Sequence, residues 1–187
     1  MSRSDALSHR PPRRMSPLRL ALPAAAIGAV LCLSMPAAAV SVAEAQIQDR
    51  NGNVVGNALL RSTPAGAVLH VKLAGLPPGA HGFHIHETGK CEPPFESAGG
   101  HLMASGTSHG FLSADGPHIG DMPNIHVPAS GALELEVLTG VTDMDSQLFD
   151  GDGAALVIHE GADDYSSQPS GAAGPRIACG VIDLKTE

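Results

Sequence analysis

Six of the ten histidines fall into one ordered set: His84 and His86 in G-F-H-I-H-E, then His101, His109 and His118, and finally His159, with Asp121 closing the middle group. Ligand-type residues spread this far along a chain act together only if the fold carries them back to one place. The set therefore constrains the architecture before any local propensity does. If residues 82–87 form a strand, its two-residue period sends His84 and His86 to one face and Phe83 and Ile85 to the other, one face for metal and one for a core. The downstream spacing, H-x7-H-x8-H-x2-D, runs through Gly- and Pro-rich sequence between Gly89 and Gly131, where a long loop can fold back around ions. Six imidazoles and a carboxylate exceed what one ion needs. Several imidazoles without thiolates suit copper(II), and three imidazoles with one carboxylate suit tetrahedral zinc. An H-x-H dipeptide alone on a strand is an ordinary surface pair; the joint pattern carries the metal reading.

Alternation in S-V-A-E-A-Q-I-Q, the turn D-R-N-G-N and the following V-V-G-N-A-L-L-R predict a hairpin. A-V-L-H-V-K-L, the turn L-P-P-G and H-G-F-H-I-H-E predict two more strands, and Leu133–Leu138, Ala154–His159 and Ile177–Leu184 later ones. No amphipathic helix is expected between them. His70 alternates with Val68 and Lys72 on a solvent face, and His126 has no assigned role. The run D-M-D-S-Q-L-F-D-G-D-G at 143–153 lacks the spacing and the distal glutamate of a calcium loop and reads as a solvated turn.

The N-terminal part reads as a secretory signal rather than as fold. Arg3, Arg10, Arg13, Arg14 and Arg19 precede an apolar stretch from Leu20 to Met35, and the A-x-A pattern after Pro36 places cleavage after Ala39. The stretch is short for a membrane span and holds Pro23; Arg13-Arg14 followed by Met15-Ser16-Pro17 is a weak twin-arginine pattern. Residues 1–39 are thus expected to be removed, leaving 40–187 as one exported domain, periplasmic or extracellular, with no membrane contact after cleavage. Cys32 leaves with the signal, and the remaining pair, Cys91 and Cys179, reads as a disulfide in an exported protein. Residues 40–187 hold 6 Lys/Arg and 18 Asp/Glu, so 6 − 18 gives a formal charge of −12, which argues against nucleic acid and anionic membranes as partners.

The stretches G-F-H-I-H-E at 82–87, S-A-G-G-H at 97–101, P-H-I-G-D-M-P at 117–123 and G-P-R-I-A-C-G-V-I at 174–182 resemble, in order, those of the copper-zinc superoxide dismutases. The resemblance implies an all-β Greek-key sandwich or flattened barrel with long metal-binding and active-site loops. It also implies dismutation of superoxide to dioxygen and hydrogen peroxide by redox cycling of copper. By the same resemblance His84, His86, His101 and His159 are copper ligands. His101 also bridges to zinc, whose other ligands are His109, His118 and Asp121. Arg176 falls where the family holds its anionic substrate, Ser170 where it keeps a hydroxyl, and Asp163 where a carboxylate links a copper histidine to a zinc histidine, here His84 and His109. The family also has the disulfide. Two stretches depart from the pattern. His101 is followed by Leu-Met-Ala rather than an aromatic residue and Asn/Asp-Pro, and the lip from Ser166 to Gly174 lacks the lysine and glutamate that guide substrate; Lys90 is a candidate replacement. The competing readings are an exported copper or zinc buffer or chaperone, a copper-only dismutase, and a sandwich that has lost its metals. Retention of His159, Arg176 and the whole zinc set counts against them. The expected state is a monomer or homodimer.

Overall fold

The structure, a computed structural model, describes residues 41–185. The expected signal, its cleavage site and Cys32 lie outside that range. Strand β1 (Val42–Asp49) turns Ala43, Ala45 and Ile47 inward and Glu44, Gln46 and Gln48 outward, the alternation of a half-buried strand. Asp49 closes the turn that follows, its Oδ1 accepting the N–H of Asn51 (2.8 Å) and of Asn53 (2.9 Å). Strands β2 (Val54–Thr63), β3 (Gly66–Leu73), β4 (Gly79–His81), β5 (Phe83–His86), β6 (Ile125–Val127), β7 (Leu133–Leu138), β8 (Ala154–His159) and β9 (Arg176–Leu184) make the described residues nearly all-β.

Seven strands form one curled antiparallel sheet in the order β5-β8-β9-β1-β2-β3-β7, and β4 pairs with β6 separately. The expected strands are present. The three-residue strands β4 and β6 have no legible counterpart in the sequence pattern, being too short to display a period. The main core gathers Ile47, Leu60, Leu69, Phe83, Ile85, Leu156 and Ile158 inside the curl. β8 is buried on both faces, since Ala155 and Val157 point outward under a second cluster with Phe95, Ala98 and Cys179. That cluster is the seat of the loop tied down by the Cys91–Cys179 disulfide, whose Cα atoms are 5.6 Å apart.

The 143–153 run is not simply a solvated turn. Asp143 caps a one-turn helix, α1 (Met144–Leu148), by accepting from the N–H groups of Asp145 and Ser146. The apolar pair Met144 and Leu148, four apart, enters the core from it. Asp150 Oδ1 accepts the N–H of Asp152 and Gly153 in a separate turn. Among the described residues no helix is long and apolar enough to cross a membrane.

Candidate metal centre

β5 is the edge of the large sheet, paired on one side with β8 and covered on the other by the loop. The N–H of Ile85 donates to Gly120 O and its carbonyl accepts from Leu102 N–H, both at 2.9 Å, so the free strand edge is consumed by the segments that carry His101 and Asp121. Gly120 is required there, because a Cβ would lie 2.0 Å from Ile85 O. His84 and His86 face away from the core, opposite Phe83 and Ile85, and all four side chains are buried. A register shift between Ile158 and His159 ends the β8–β9 ladder and sets His159 opposite Arg176.

His84, His86, His101 and His159 each offer a ring nitrogen, and these atoms lie within 4.8 Å of one another. Their tautomers are fixed from behind. His86 Nδ1 donates to Gly99 O (3.0 Å) and His159 Nδ1 to Gly174 O (3.0 Å), which leaves each Nε2 as a lone pair. His84 is reversed: Nε2 donates to Asp163 Oδ2 (2.8 Å), leaving Nδ1 free. Nδ1 of His84 and Nε2 of His86, His101 and His159 are buried and make no hydrogen bond. Four orphaned lone pairs converging on one point would be costly in a protein without an ion, so the donor set fits copper.

The second group, His101, His109, His118 and Asp121, meets the same criterion. Nδ1 of His101, His109 and His118 lies 2.8, 3.1 and 3.6 Å from one oxygen, Asp121 Oδ1. These separations bracket the ~3.3 Å edge of a tetrahedron with metal bonds of about 2.0 Å, the spacing of ligands around zinc. The other oxygen, Asp121 Oδ2, accepts the N–H of Gly110 (2.8 Å) and of His118 (3.0 Å). Only His101 belongs to both groups. Asp163 joins them from the far side, accepting from His84 Nε2 through Oδ2 and from His109 Nε2 (3.0 Å) through Oδ1.

Burial is the first cause of the low basicity of the imidazoles. It pushes His84 down to about 4 and His159 to about 3, and it holds His86 well below and His118 below the ordinary histidine value. The rings of His84, His86, His118 and His159 are thereby kept neutral near pH 7, as metal ligands must be. Burial would raise the Asp121 carboxyl, but the hydrogen bonds from His101 and the N–H groups of Gly110 and His118 prevail and hold it well below the carboxylate range. Asp163 is likewise lowered against burial, chiefly by His84.

Arg176 stands beside this centre. Nη1 donates to Phe95 O and Nη2 to Gly99 O, each at 2.6 Å, and Gly99 O is the carbonyl that also orients His86. The disulfide loop thus holds the guanidinium in place. Burial lowers the guanidinium, but its ordinary value is so high that it stays a cation. Arg176, His101, His118, Ser170, Pro169, Met103 and Glu87 line a cavity of about 170 Å³ open to solvent.

A family model described as copper/zinc superoxide dismutase matches residues 54–182. A superoxide dismutase [Cu-Zn] 2 from Aquifex aeolicus (strain VF5) is 44% identical over 161 residues, covering 83% of this chain and 94% of the relative. The chain belongs to the copper/zinc superoxide dismutase family. Its fold agrees with that of a superoxide dismutase-like protein from Bacillus subtilis (TM-score 0.71, 39% identity, 74% of this chain and 96% of that one). It agrees also with the Cu/Zn superoxide dismutase from Brucella abortus (TM-score 0.65, 29% identity, 76% and 99%).

Against that family's pattern, Leu102 keeps the turn after His101 by its bond to Ile85, and Met103 stands at the cavity mouth, half exposed at 50%. Lys90 is exposed and is not among the residues lining the cavity. His70 binds Glu134 on the outer face (2.8 Å), as the alternation of its strand implies, and His126 is exposed. Three further residues support the centre. His81 is buried with its ring nitrogens on the carbonyls of His159 (2.8 Å) and Pro77 (2.9 Å), and Asn124 and Gln168 hold the main chain of Asp163 and His109. For His81 the signal was its place in H-G-F-H-I-H; single carboxamides in loops carry none.

Proposed function

We propose that the protein dismutates superoxide at a copper-zinc centre in an exported compartment, periplasmic or extracellular. Residues 40–187 form the working domain after a signal at 1–39 is removed. His84 Nδ1 and Nε2 of His86, His101 and His159 would hold copper; Nδ1 of His101, His109 and His118 with Asp121 would hold zinc. When bound, copper supplies a one-electron redox couple and zinc a fixed positive charge on the far nitrogen of His101.

The chain's own residues do the rest. Arg176 spends two of its five donor hydrogens on Phe95 O and Gly99 O, and the others remain to bind a small anion beside His101. Nε2 of His101 is the atom at which a proton can be held and passed to reduced substrate, because the other nitrogen belongs to the second group. Asp163 and the carbonyls of Gly99 and Gly174 keep the remaining imidazoles from turning. Ser170 contributes a hydroxyl to the cavity wall. Superoxide is the substrate, and a formal charge of −12 on residues 40–187 leaves its attraction to this local cation.

The observation that carries the enzymatic reading is Arg176, clamped by two carbonyls next to the four-histidine group, since a metal store has no use for a cation aimed at an anion. Pulse-radiolytic or stopped-flow decay of superoxide with fully metallated protein tests it. Catalytic acceleration is expected; protein holding both metals that leaves the decay at its spontaneous rate would favour the metal buffer.

A further inference from the structure

The lip from Ser166 to Gly174 offers no charged side chain to an incoming anion, and its one long polar side chain is used inward. Gln168 Nε2 donates to the carbonyl of His109, and Gln168 Oε1 accepts the N–H of His109, each at 3.0 Å. The same Nε2 reaches Ser166 O at 3.1 Å. One carboxamide thereby satisfies both main-chain groups of one residue, as a neighbouring strand does in a closely spaced antiparallel pair. The N–H of His109 needs this substitute, whereas its carbonyl also accepts from the Ser113 hydroxyl. His109 is fully buried and sits in a bend outside any strand, where an unpaired N–H would be expensive.

A second carboxamide repeats the device. Asn124 Nδ2 donates to Asp163 O and Asn124 Oδ1 accepts the N–H of Asp163, each at 2.8 Å. His109 and Asp163 are bonded to each other through their side chains, and Asp163 is bonded to His84. Two members of this relay are therefore held from the main-chain side, each by a residue from a different loop.

We infer that Gln168 is a positioning residue for the zinc half of the centre: by fixing the main chain of His109 it sets where His109 Nδ1 lies, and it makes the lip over the cavity and the metal loop move as one. The inference rests on His109 being a zinc ligand. Removing the carboxamide leaves the ligand itself intact but free to shift, so binding weakens. The consequence reaches the substrate side as well, because Pro169 and Ser170, the next two residues, line the cavity.

The test uses metal-free mature protein titrated with cobalt(II), whose visible absorption reports four-coordinate geometry, against a chelator of known affinity. Gln168→Ala should bind cobalt about tenfold more weakly than wild type, the loss expected when two ordinary hydrogen bonds to a ligand's support are removed, with altered band shape. Gln168→Glu separates positioning from charge. It keeps an acceptor for His109 N–H but sets a carboxylate oxygen against the His109 carbonyl, so a positioning role predicts weaker cobalt binding although the added negative charge alone would tighten it. Gln168 is solvent-exposed, and both variants should keep the metal-free circular dichroism of wild type. Wild-type affinity and spectrum in Gln168→Ala, or tighter binding in Gln168→Glu, would overturn the inference. Wild-type protein that takes up no cobalt, or binds it equally well as His109→Ala, would instead remove the premise that His109 is a ligand, and the inference with it.

Discussion

At the scale of single residues, the centre is decided by which nitrogen each imidazole leaves free. His84 presents Nδ1 because Asp163 holds its Nε2, while His86 and His159 present Nε2 because carbonyls hold their Nδ1. H-x-H spacing made the shared face of His84 and His86 legible, but not this inversion, which depends on a carboxylate far along the chain. Arg176 illustrates the same limit: a guanidinium is readable, its fixation by Phe95 O and Gly99 O is not, since main-chain acceptors leave no trace in residue identity. Replacing Arg176 with Ala should leave copper and zinc contents unchanged, as guanidinium is no ligand. The dismutation rate should fall by roughly tenfold or more, the scale of losing a preorganised cation beside a reacting anion. Arg176→Lys should lie between, keeping the charge without the fork. Rate and elemental analysis on the same samples decide it, and full activity in the Ala variant with both metals bound would make Arg176 structural only.

At the scale of elements, the centre is assembled by closing the free edge of β5 with a loop and by seating a second loop over β8. Long alternating strands such as β1 and β3 were readable from their period, as was the strand bearing His84 and His86. The packing of the loops was not. Phe95 and Ala98 bury against Ala155 and Val157, and nothing in a Gly- and Pro-rich stretch announces where it will dock. The helix α1 is not legible in the sequence, because one turn with two apolar residues is indistinguishable from a polar loop until a core accepts Met144 and Leu148. The disulfide joins the docked loop to β9 across 88 residues, for which chain entropy gives about 4–5 kcal/mol. Cys91→Ser with Cys179→Ser should therefore lower the free energy of unfolding by roughly that amount in urea denaturation. Its dismutation rate should fall further than its copper content, because the carbonyls of Phe95 and Gly99 lose their anchor and Arg176 its aim.

At the scale of the whole molecule, one sheet buries a polar centre that folding alone does not repay. His84 and His159 are held neutral, at about 4 and about 3 against an ordinary value of 6.5, so between those values and pH 6.5 the unfolded chain binds protons that the folded protein refuses. The sign follows: for metal-free protein this contribution is complete above about pH 6.5 and is lost as pH falls, toward 4 for His84 and toward 3 for His159. Asp163, lowered below 3.8, adds stability that disappears only at more acid pH. The melting temperature of metal-free protein should thus be level above pH 7 and drop steadily below about 6.5. A midpoint that rises on acidification through that window would show that the imidazoles are charged in the folded state. The centre as a whole depends on His101 serving both groups at once. Its most direct test is the electron paramagnetic resonance of protein carrying copper(II) in the four-histidine group and cobalt(II) in the other. A histidine ring linking the two ions through Nε2 and Nδ1 couples their spins, so the copper signal should fade as cobalt fills and return at full intensity when zinc replaces cobalt. A copper signal that keeps its full intensity with both sites occupied would mean that no ring is shared.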